Sequence, residues 1–332
     1  MTLKEIANRA NVSVSTVSLV LNNKKGVSDK KRATILNMLE ELDYPKMNNS
    51  DSHSGKLIFI KYSRTGKLIE ENEGFISVIL DALGNECRRD GFQLIYQYCH
   101  KDFKKSIENI DFSDVDGVFL LGTELTPDDY KYVCLIEKPL VVIDNSLPEC
   151  HINTITMANY EMTKTGFDYL ISKNPNMDFG FLIGTEYAEN FEERLKSVEI
   201  EAIRHGLRLD PNNIIKLDPT LDGSRDDLSE LIRDGLKLPS VLFAANDTIG
   251  IGAIHAMNNL GIKVPEEVQI IGFDDIVFSK SVQPSLTTLS VKRRLIGSVA
   301  LHQMKETISN KDYRDIKIRI GGDLIIRDST KN

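Results

Sequence analysis

Short polar side chains crowd one stretch near the N-terminus, where Ser13, Ser15, Thr16, Ser18 and Asn22 stand within ten residues. Hydroxyls and an amide at the start of a helix suit phosphate oxygens, because they donate hydrogen bonds and the helix dipole adds a favourable field. Ser13 also reads as an ordinary N-cap, and one residue can do both. A second set is spread through the rest of the chain: Asp144, Arg194, Asn246, Asp247 and Asp274 fall at or just after strand-like runs, or at helix starts. Asp and Asn bind in pairs, and Arg bridges two oxygens with its planar fork, so this set suits adjacent hydroxyls. Phe75 and Phe191 open helix-like stretches and offer ring faces, while Tyr62, Arg64 and Thr123 follow strand-like runs. Each has a plainer alternative. Asp247 and Asp274 read equally as capping carboxylates at strand-to-helix turns, and Arg194 as a surface ion pair.

The elements that would hold the first set are short helices. Leu3, Ile6, Ala7 and Ala10 share one face at helical spacing, as do Val17, Val20 and Leu21, with Val12 in the turn between. Residues 2–10 and 14–22 are therefore expected as two helices joined by a tight turn. Ala7 and Ala10 are small where they cross, which lets the backbones approach and presents the second helix outward. A third helix is expected after Ser28, an N-cap followed by Asp29 in the first turn, with Ile35, Leu36, Leu39 and Leu42 as its buried stripe.

Charge divides the chain. Residues 1–46 hold eight Lys or Arg against five acids, a net +3, while the whole chain is −8 and the remainder −11. A polyanion is drawn to one end and repelled by the other, although +3 is modest for a solvated surface. Residues 46–56, a run of Asn, Ser, Asp and Gly, read as a flexible linker. Beyond it, seven apolar strand-like runs (56–62, 92–96, 115–121, 139–144, 179–183, 241–244 and 268–273) alternate with amphipathic stretches over 75–90, 158–172, 191–205, 248–260 and 294–308. That alternation means parallel sheets covered by helices, with ligands expected at the carboxyl ends of the strands.

Several classes are set aside. There is no basic, apolar leader and no long apolar run, so a cytoplasmic location without a membrane segment is expected. Cys87, Cys99, Cys134 and Cys150 lack metal-ligand spacing and read as ordinary thiols; the six histidines read as isolated, and no metal or cofactor is expected. Gly250-Ile-Gly252 is the nearest approach to a dinucleotide motif, but His255 stands at the third position and the run lies inside a helix pattern. An enzyme is not expected.

Residues 3–22, followed by Val27-Ser28 and Leu42-Asp-Tyr44, resemble the headpiece of the LacI/GalR family of bacterial repressors. The resemblance continues through Asp116-Gly117-Val118, Pro139 to Asp144, Phe191 to Arg194, Asn246-Asp247, Gly261 to Pro265, Gly272 to Asp275 and Pro284 to Leu289. It implies an all-α three-helix helix-turn-helix domain over 1–45, then an α/β core over 57–332. That core has two Rossmann-like lobes of the periplasmic-binding-protein type, with crossings near 157, 286 and 319. The lobes would be 57–157 with 287–318, and 158–286 with 319–332.

By the same resemblance Val14, Ser15 and Leu19 take base-reading positions, and Thr2, Thr16, Ser18, Asn22 and Ser28 take phosphate-holding ones. Leu19 departs from the Arg or His of many members and leaves only apolar contact with a base. Phe75, Asp144, Phe191, Arg194, Asn246, Asp247 and Asp274 would hold an effector, a sugar or sugar phosphate, between the lobes. The polar linker departs from the family's hinge helix and its minor-groove leucine wedge. Ser197-Val198 replaces the Gly-aromatic pair that often follows the arginine, and the charged stretch 63–73 is placed to reshape the pocket mouth. The resemblance implies a homodimeric repressor of carbohydrate-utilisation genes on double-stranded operator DNA, with a phosphocarrier protein as a further partner. The alternatives are a sugar-binding transport component, which the missing leader and the headpiece oppose, and a nucleotide-using enzyme.

Overall fold

A computed structural model describes residues 6–7, 9–10, 12–21, 26–41, 55–69, 73–175, 177–310 and 312–331. The chain divides into two compact units, one of residues 1–55 with 87–93, the other of residues 56–86 with 94–332.

In the first unit, Ile6, Ala7 and Arg9 are helical, α1 runs Val14–Leu21 and α2 runs Asp29–Glu41. Ile6, Ala7, Val17, Val20, Ile35 and Leu39 form one core, with Ala10, Val12 and Val27 packed against it. The expected apolar stripes thus meet, with one exception: Leu36 is exposed, because the helical period turns it away from the face that Ile35 and Leu39 share. Residues 46–54 of the expected linker, and Leu3 and Leu42, lie outside the described residues.

The second unit contains two six-stranded sheets. Its elements in order are β1 (Lys56–Ser63), α3 (Glu73–Arg89), β2 (Gln93–His100), α4 (Phe103–Glu108), β3 (Gly117–Leu121), α5 (Pro127–Val133), β4 (Leu140–Ile143), β5 (Asn153–Met157), α6 (Asn159–Lys173), β6 (Phe179–Gly184), α7 (Glu189–Arg204), β7 (Ile214–Leu217), α8 (Leu221–Arg233), β8 (Val241–Ala244), α9 (Asp247–Asn259), β9 (Gln269–Asp274), β10 (Thr287–Val291), α10 (Arg293–Ser309), β11 (Lys317–Ile320) and β12 (Gly322–Ile325). The first sheet has the order β11-β5-β4-β3-β1-β2 and the second β12-β10-β9-β8-β6-β7. Their central strands are apolar and buried on both faces, as parallel sheets between helices require.

The chain passes between the sheets after β5, after β10 and between β11 and β12. The second passage corrects the expected position near 286. Thr287–Ser290 pair in parallel with Ile271–Asp274, so residues 287–291 belong to the second sheet and the chain leaves only after Val291. Thr287, Leu289 and Val291 alternate at period two on β-favouring side chains, which is enough to add one more strand.

One further expectation changes. Cys134, at the end of α5, and Cys150, in the loop after β4, are joined in a disulfide with Cα atoms 6.3 Å apart, within the span such a bridge needs. They are sixteen residues apart with no motif between them, so only the turn of β4 back past α5 brings them together. Gly250 and Gly252 lie inside α9; a Cβ on Gly252 would meet Ser224 Oγ and come within 2.7 Å of the Leu221 carbonyl. Gly252 lets α8 and α9 approach closely, while Gly250 faces Leu286 and Ala244. Among the described residues, no helix is long and apolar enough to cross a membrane.

Candidate functional site

In the first unit, Ser13 caps α1: its Oγ accepts the Thr16 N–H at 3.1 Å and lies 2.8 Å from Thr16 Oγ1. Val14 is exposed at 43%, which leaves an apolar side chain on the outer face of the helix, while Leu19 is half-buried. Ser28 is exposed, and its carbonyl accepts the Arg32 N–H at 2.9 Å, opening α2. Ser15 and Ser18 lie within α1, but their side chains, like Thr2 and Asn22 as a whole, are outside the described residues.

In the second unit a narrow cavity opens where the ends of both sheets face each other. Its walls include Phe75, Thr123 and Asp144 from the first sheet's side, and Asn190, Phe191, Arg194 and Asp274 from the second's. Leu68, Ile76, Met157 and Ala188 complete the apolar lining. About 30 Å³ is left for the centres of water-sized spheres, room for about two waters.

Arg194 is the hub. Placed by α7 and almost wholly buried, it donates Nε–H to Asn159 Oδ1 at 2.9 Å and Nη1–H to the Ala245 carbonyl at 2.6 Å. Its guanidinium carbon lies 3.5 Å from the centre of the Phe273 ring, and Nη2 reaches Asp274 Oδ1 at 3.6 Å. Burial pulls its pKa down, opposed chiefly by Asp274 and then Asp144. A buried guanidinium with fixed partners on three sides is no surface ion pair.

The two carboxylates differ. Asp144 ends β4 with φ 72°; its Oδ2 accepts the Thr123 hydroxyl at 2.5 Å and its Oδ1 the Asn190 amide at 2.8 Å. Burial raises its pKa, and Thr123 and Arg194 pull it back. Asp274 ends β9 with φ 109°, and its buried Oδ1 has no hydrogen-bond partner among the described residues. Burial outweighs the Arg194 field and pushes this carboxyl up to about 7. Left-handed backbone at an aspartate costs energy and is held in place by its surroundings, and here it recurs at both walls of one cavity.

Asn246 and Asp247 stand apart from the cavity lining. Asn246 caps α9, its Oδ1 accepting the Ile249 N–H at 3.0 Å. Asp247 accepts the Ile276 N–H at 3.1 Å and the hydroxyls of Ser279 and Thr288, tying α9 to the turn after β9 and to β10. Burial raises its pKa to about 6 against those three donors. Tyr62 donates its hydroxyl to the Lys101 carbonyl at 2.8 Å and Arg64 pairs with Glu186 at 3.4 Å; neither lines the cavity.

Sequence reasoning missed Asn190, although its place in the first turn of α7, one residue before Phe191, was a usable signal. It also missed Glu124. That buried carboxylate accepts the N–H groups of Arg64, Thr65 and Gly66 at 2.6, 2.8 and 3.2 Å and of Leu68 at 3.1 Å, and so holds the loop that brings Leu68 to the cavity. Lys67 pairs with Asp218 at 2.6 Å from the same loop, of which Leu68 alone lines the cavity among the described residues. Ser197 and Val198 are buried, with Ser197 Oγ bonded to the Glu193 carbonyl, so the helix bearing Arg194 packs without the Gly-aromatic pair. His205 is not isolated: its ring nitrogen and carboxylate oxygens of Asp168 and Glu201 lie within 4.8 Å of one another. Lys164 and Arg204 pair with those two carboxylates, which makes the group an ion-pair network.

The family model for lacI-type bacterial regulatory proteins matches residues 2–46, and that for a periplasmic binding protein-like domain matches residues 167–330. The HTH-type transcriptional regulator GalR of Streptococcus thermophilus is 30% identical over 99% of this chain and 99% of its own length. The chain belongs to the lacI family of bacterial regulatory proteins. This lacI-family protein is thus a DNA-binding transcriptional regulator with a helix-turn-helix domain and a periplasmic-binding-protein-like core. Its fold is that of the lac repressor dimer bound to operator and the anti-inducer ONPF, at 20% identity, a TM-score of 0.75, and coverage of 100% of this chain and 99% of that one. The complex of the regulator CelR with cellobiose has a TM-score of 0.71 at 20% identity, with 99% of each chain covered.

Proposed function

We propose that this repressor binds operator DNA in the cytoplasm as a homodimer and controls genes of carbohydrate use, and that a neutral sugar held between the two sheets switches it. The observation that carries the ligand class is Asp274 Oδ1, a buried acceptor without a donor among the described residues, beside a guanidinium already committed to other partners. A sugar hydroxyl supplies the missing donor. Phe75, Phe191, Leu68 and Ile76 offer apolar faces to the C–H side of a pyranose ring. A phosphate would meet two carboxylates against one arginine, which favours an uncharged sugar over a sugar phosphate. Cellobiose in the CelR complex is in keeping with this reading.

On the DNA side, the capped start of α1 presents Val14 outward beside Ser13 and Thr16, as phosphate and thymine-methyl contacts need. A single small headpiece binds weakly at physiological salt, so pairing of two chains carries the affinity. Val277 and Phe278, adjacent and exposed at 76% and 64%, offer apolar surface for such pairing.

Thermal-shift screening of mono- and disaccharides, sugar phosphates and purines tests the ligand class. Stabilisation by a neutral sugar, lost in Asp274→Asn, supports it; stabilisation by sugar phosphates or purines alone overturns it. A gel shift on upstream promoter fragments at two salt concentrations, with and without that sugar and an added phosphocarrier protein, tests the rest. Salt-independent binding, or no preference over random duplex, counts against the DNA reading.

A further inference from the structure

We propose that Cys134 and Cys150 are a reversible redox site whose disulfide clasps the loop carrying Asp144, so that the thiol state of the cell adjusts the effector cavity. The loop over 144–152 begins with Asp144 in the cavity wall and continues through Asn145, whose amide bonds the Gly122 carbonyl, and Leu147, wholly buried with φ 44°. Ser146 bonds the Glu189 carboxylate of α7, which ties the loop to the second sheet's side. Lys317 of β11 donates to the carbonyls of Ser146, Leu147, Cys150 and Ile152 at 2.9–3.3 Å, so four loop carbonyls converge on one ammonium. The disulfide adds the covalent anchor to α5. A short segment held at its start by Asp144, at its middle by Lys317 and near its end by Cys150 transmits a change at one anchor to the others.

The two sulfurs are not equally accessible. Cys134 is exposed and Cys150 is 5% exposed, so an incoming thiolate reaches Cys134 first. Attack of a low-molecular-weight thiolate on Cys134 Sγ forms a mixed disulfide there and expels Cys150 as a thiolate. A second thiol then resolves the mixed disulfide, leaving two reduced cysteines and one small-molecule disulfide, a two-electron exchange. Oxidation runs the same steps backwards. Disulfides are uncommon in the cytoplasm, and those that occur there are mostly transient or redox-sensing. Cys87 and Cys99 are buried outside the bridge and serve as internal references. The chemistry stands without a ligand; its regulatory meaning rests on Asp144 as a wall of the effector cavity.

The test uses the full-length protein without effector, equilibrated in glutathione mixtures from reduced to oxidised and alkylated for mass spectrometry. Two cysteines, 134 and 150, should pass reversibly between blocked and alkylated states, with 87 and 99 unlabelled until denaturant is added. Amide hydrogen exchange over 144–152 should quicken at least about tenfold on reduction, and Cys134→Ser should show the fast rate in every mixture. The proposal is overturned if the pair stays reduced or stays oxidised across all mixtures, or if the bond cycles while exchange over 144–152 is unchanged. Failure of every sugar to stabilise the protein would leave both measurements intact and speak only against the sugar reading.

Discussion

Asp144 and Asp274 occupy matching places on the two sheets. Each closes an apolar strand, each takes a left-handed backbone, each is buried in the wall of one cavity, and burial raises both carboxyls. Their partners separate them. Asp144 is engaged on both oxygens, by Thr123 from its own sheet and Asn190 from the other side, and so links the two halves of the cleft. Asp274 keeps Oδ1 without a donor among the described residues and faces Arg194 at 3.6 Å. In the proposed reading the satisfied carboxylate serves closure and the unsatisfied one recognition, because a buried acceptor stabilises the state that brings it a hydrogen.

The strongest way to break this contrast is to remove the group both acids share. Arg194→Ala leaves two buried carboxylates facing each other without a cation and should cost about 3–5 kcal/mol, read by urea unfolding, with ligand-induced stabilisation lost. A cost below about 1 kcal/mol would mean that Arg194 behaves as an exposed ion pair. The next test exchanges the acids one at a time. Asp144→Asn should lower stability of the ligand-free protein by about 1–3 kcal/mol. Asp274→Asn should not lower it, while weakening sugar binding at least tenfold, about 1.4 kcal/mol or more. Equal effects of the two variants on both measurements would erase the distinction.

A pH series sharpens it further. Asp274 titrates near 7 when folded, against an ordinary 3.8. The folded state therefore holds a proton that the unfolded chain has given up, and this contribution to stability is complete below the ordinary value and lost as pH rises through 7. Asp247, raised to about 6, acts in the same direction at lower pH. Unfolding free energy should fall from pH 6 to pH 8, and Asp274→Asn should flatten the upper part of that fall. An undiminished slope in the variant would assign the proton elsewhere. The smallest expected effect lies in the other unit: Ser13→Ala removes the cap of α1 and should cost about 1 kcal/mol, seen as weaker operator retention in a gel shift with the core's urea transition unmoved.

Much of the arrangement could be read before any coordinates. The apolar stripes of residues 6–10, 14–21 and 29–41 follow helical period strictly enough to bring Ile6, Val17 and Ile35 into one core. The runs at 179–184 and 241–244, and residues 270–273 of the run at 269–274, are apolar without alternation, as buried parallel strands are. Residues 153–157 escaped because Asn153, Thr154 and Thr156 read as polar, yet all are buried in β5, where Asn153 bonds Thr307 and the Tyr313 carbonyl. Residues 287–291 were assigned to the first lobe because the resemblance set a crossing near 286, and only their pairing with β9 places them in the second sheet.

The chain's own pattern determined the elements, the two-part organisation and the residue types facing the cleft, because helical and strand periods are local and burial follows from them. Tertiary packing alone decided which polar groups are satisfied. It gave Asp247 three donors and left Asp274 Oδ1 with none among the described residues, filled the turn at 64–68 with a carboxylate from Glu124, and brought Cys134 against Cys150. Hydrogen-bond satisfaction depends on distances of a few tenths of an ångström between segments far apart in the chain, and no local spacing encodes those distances.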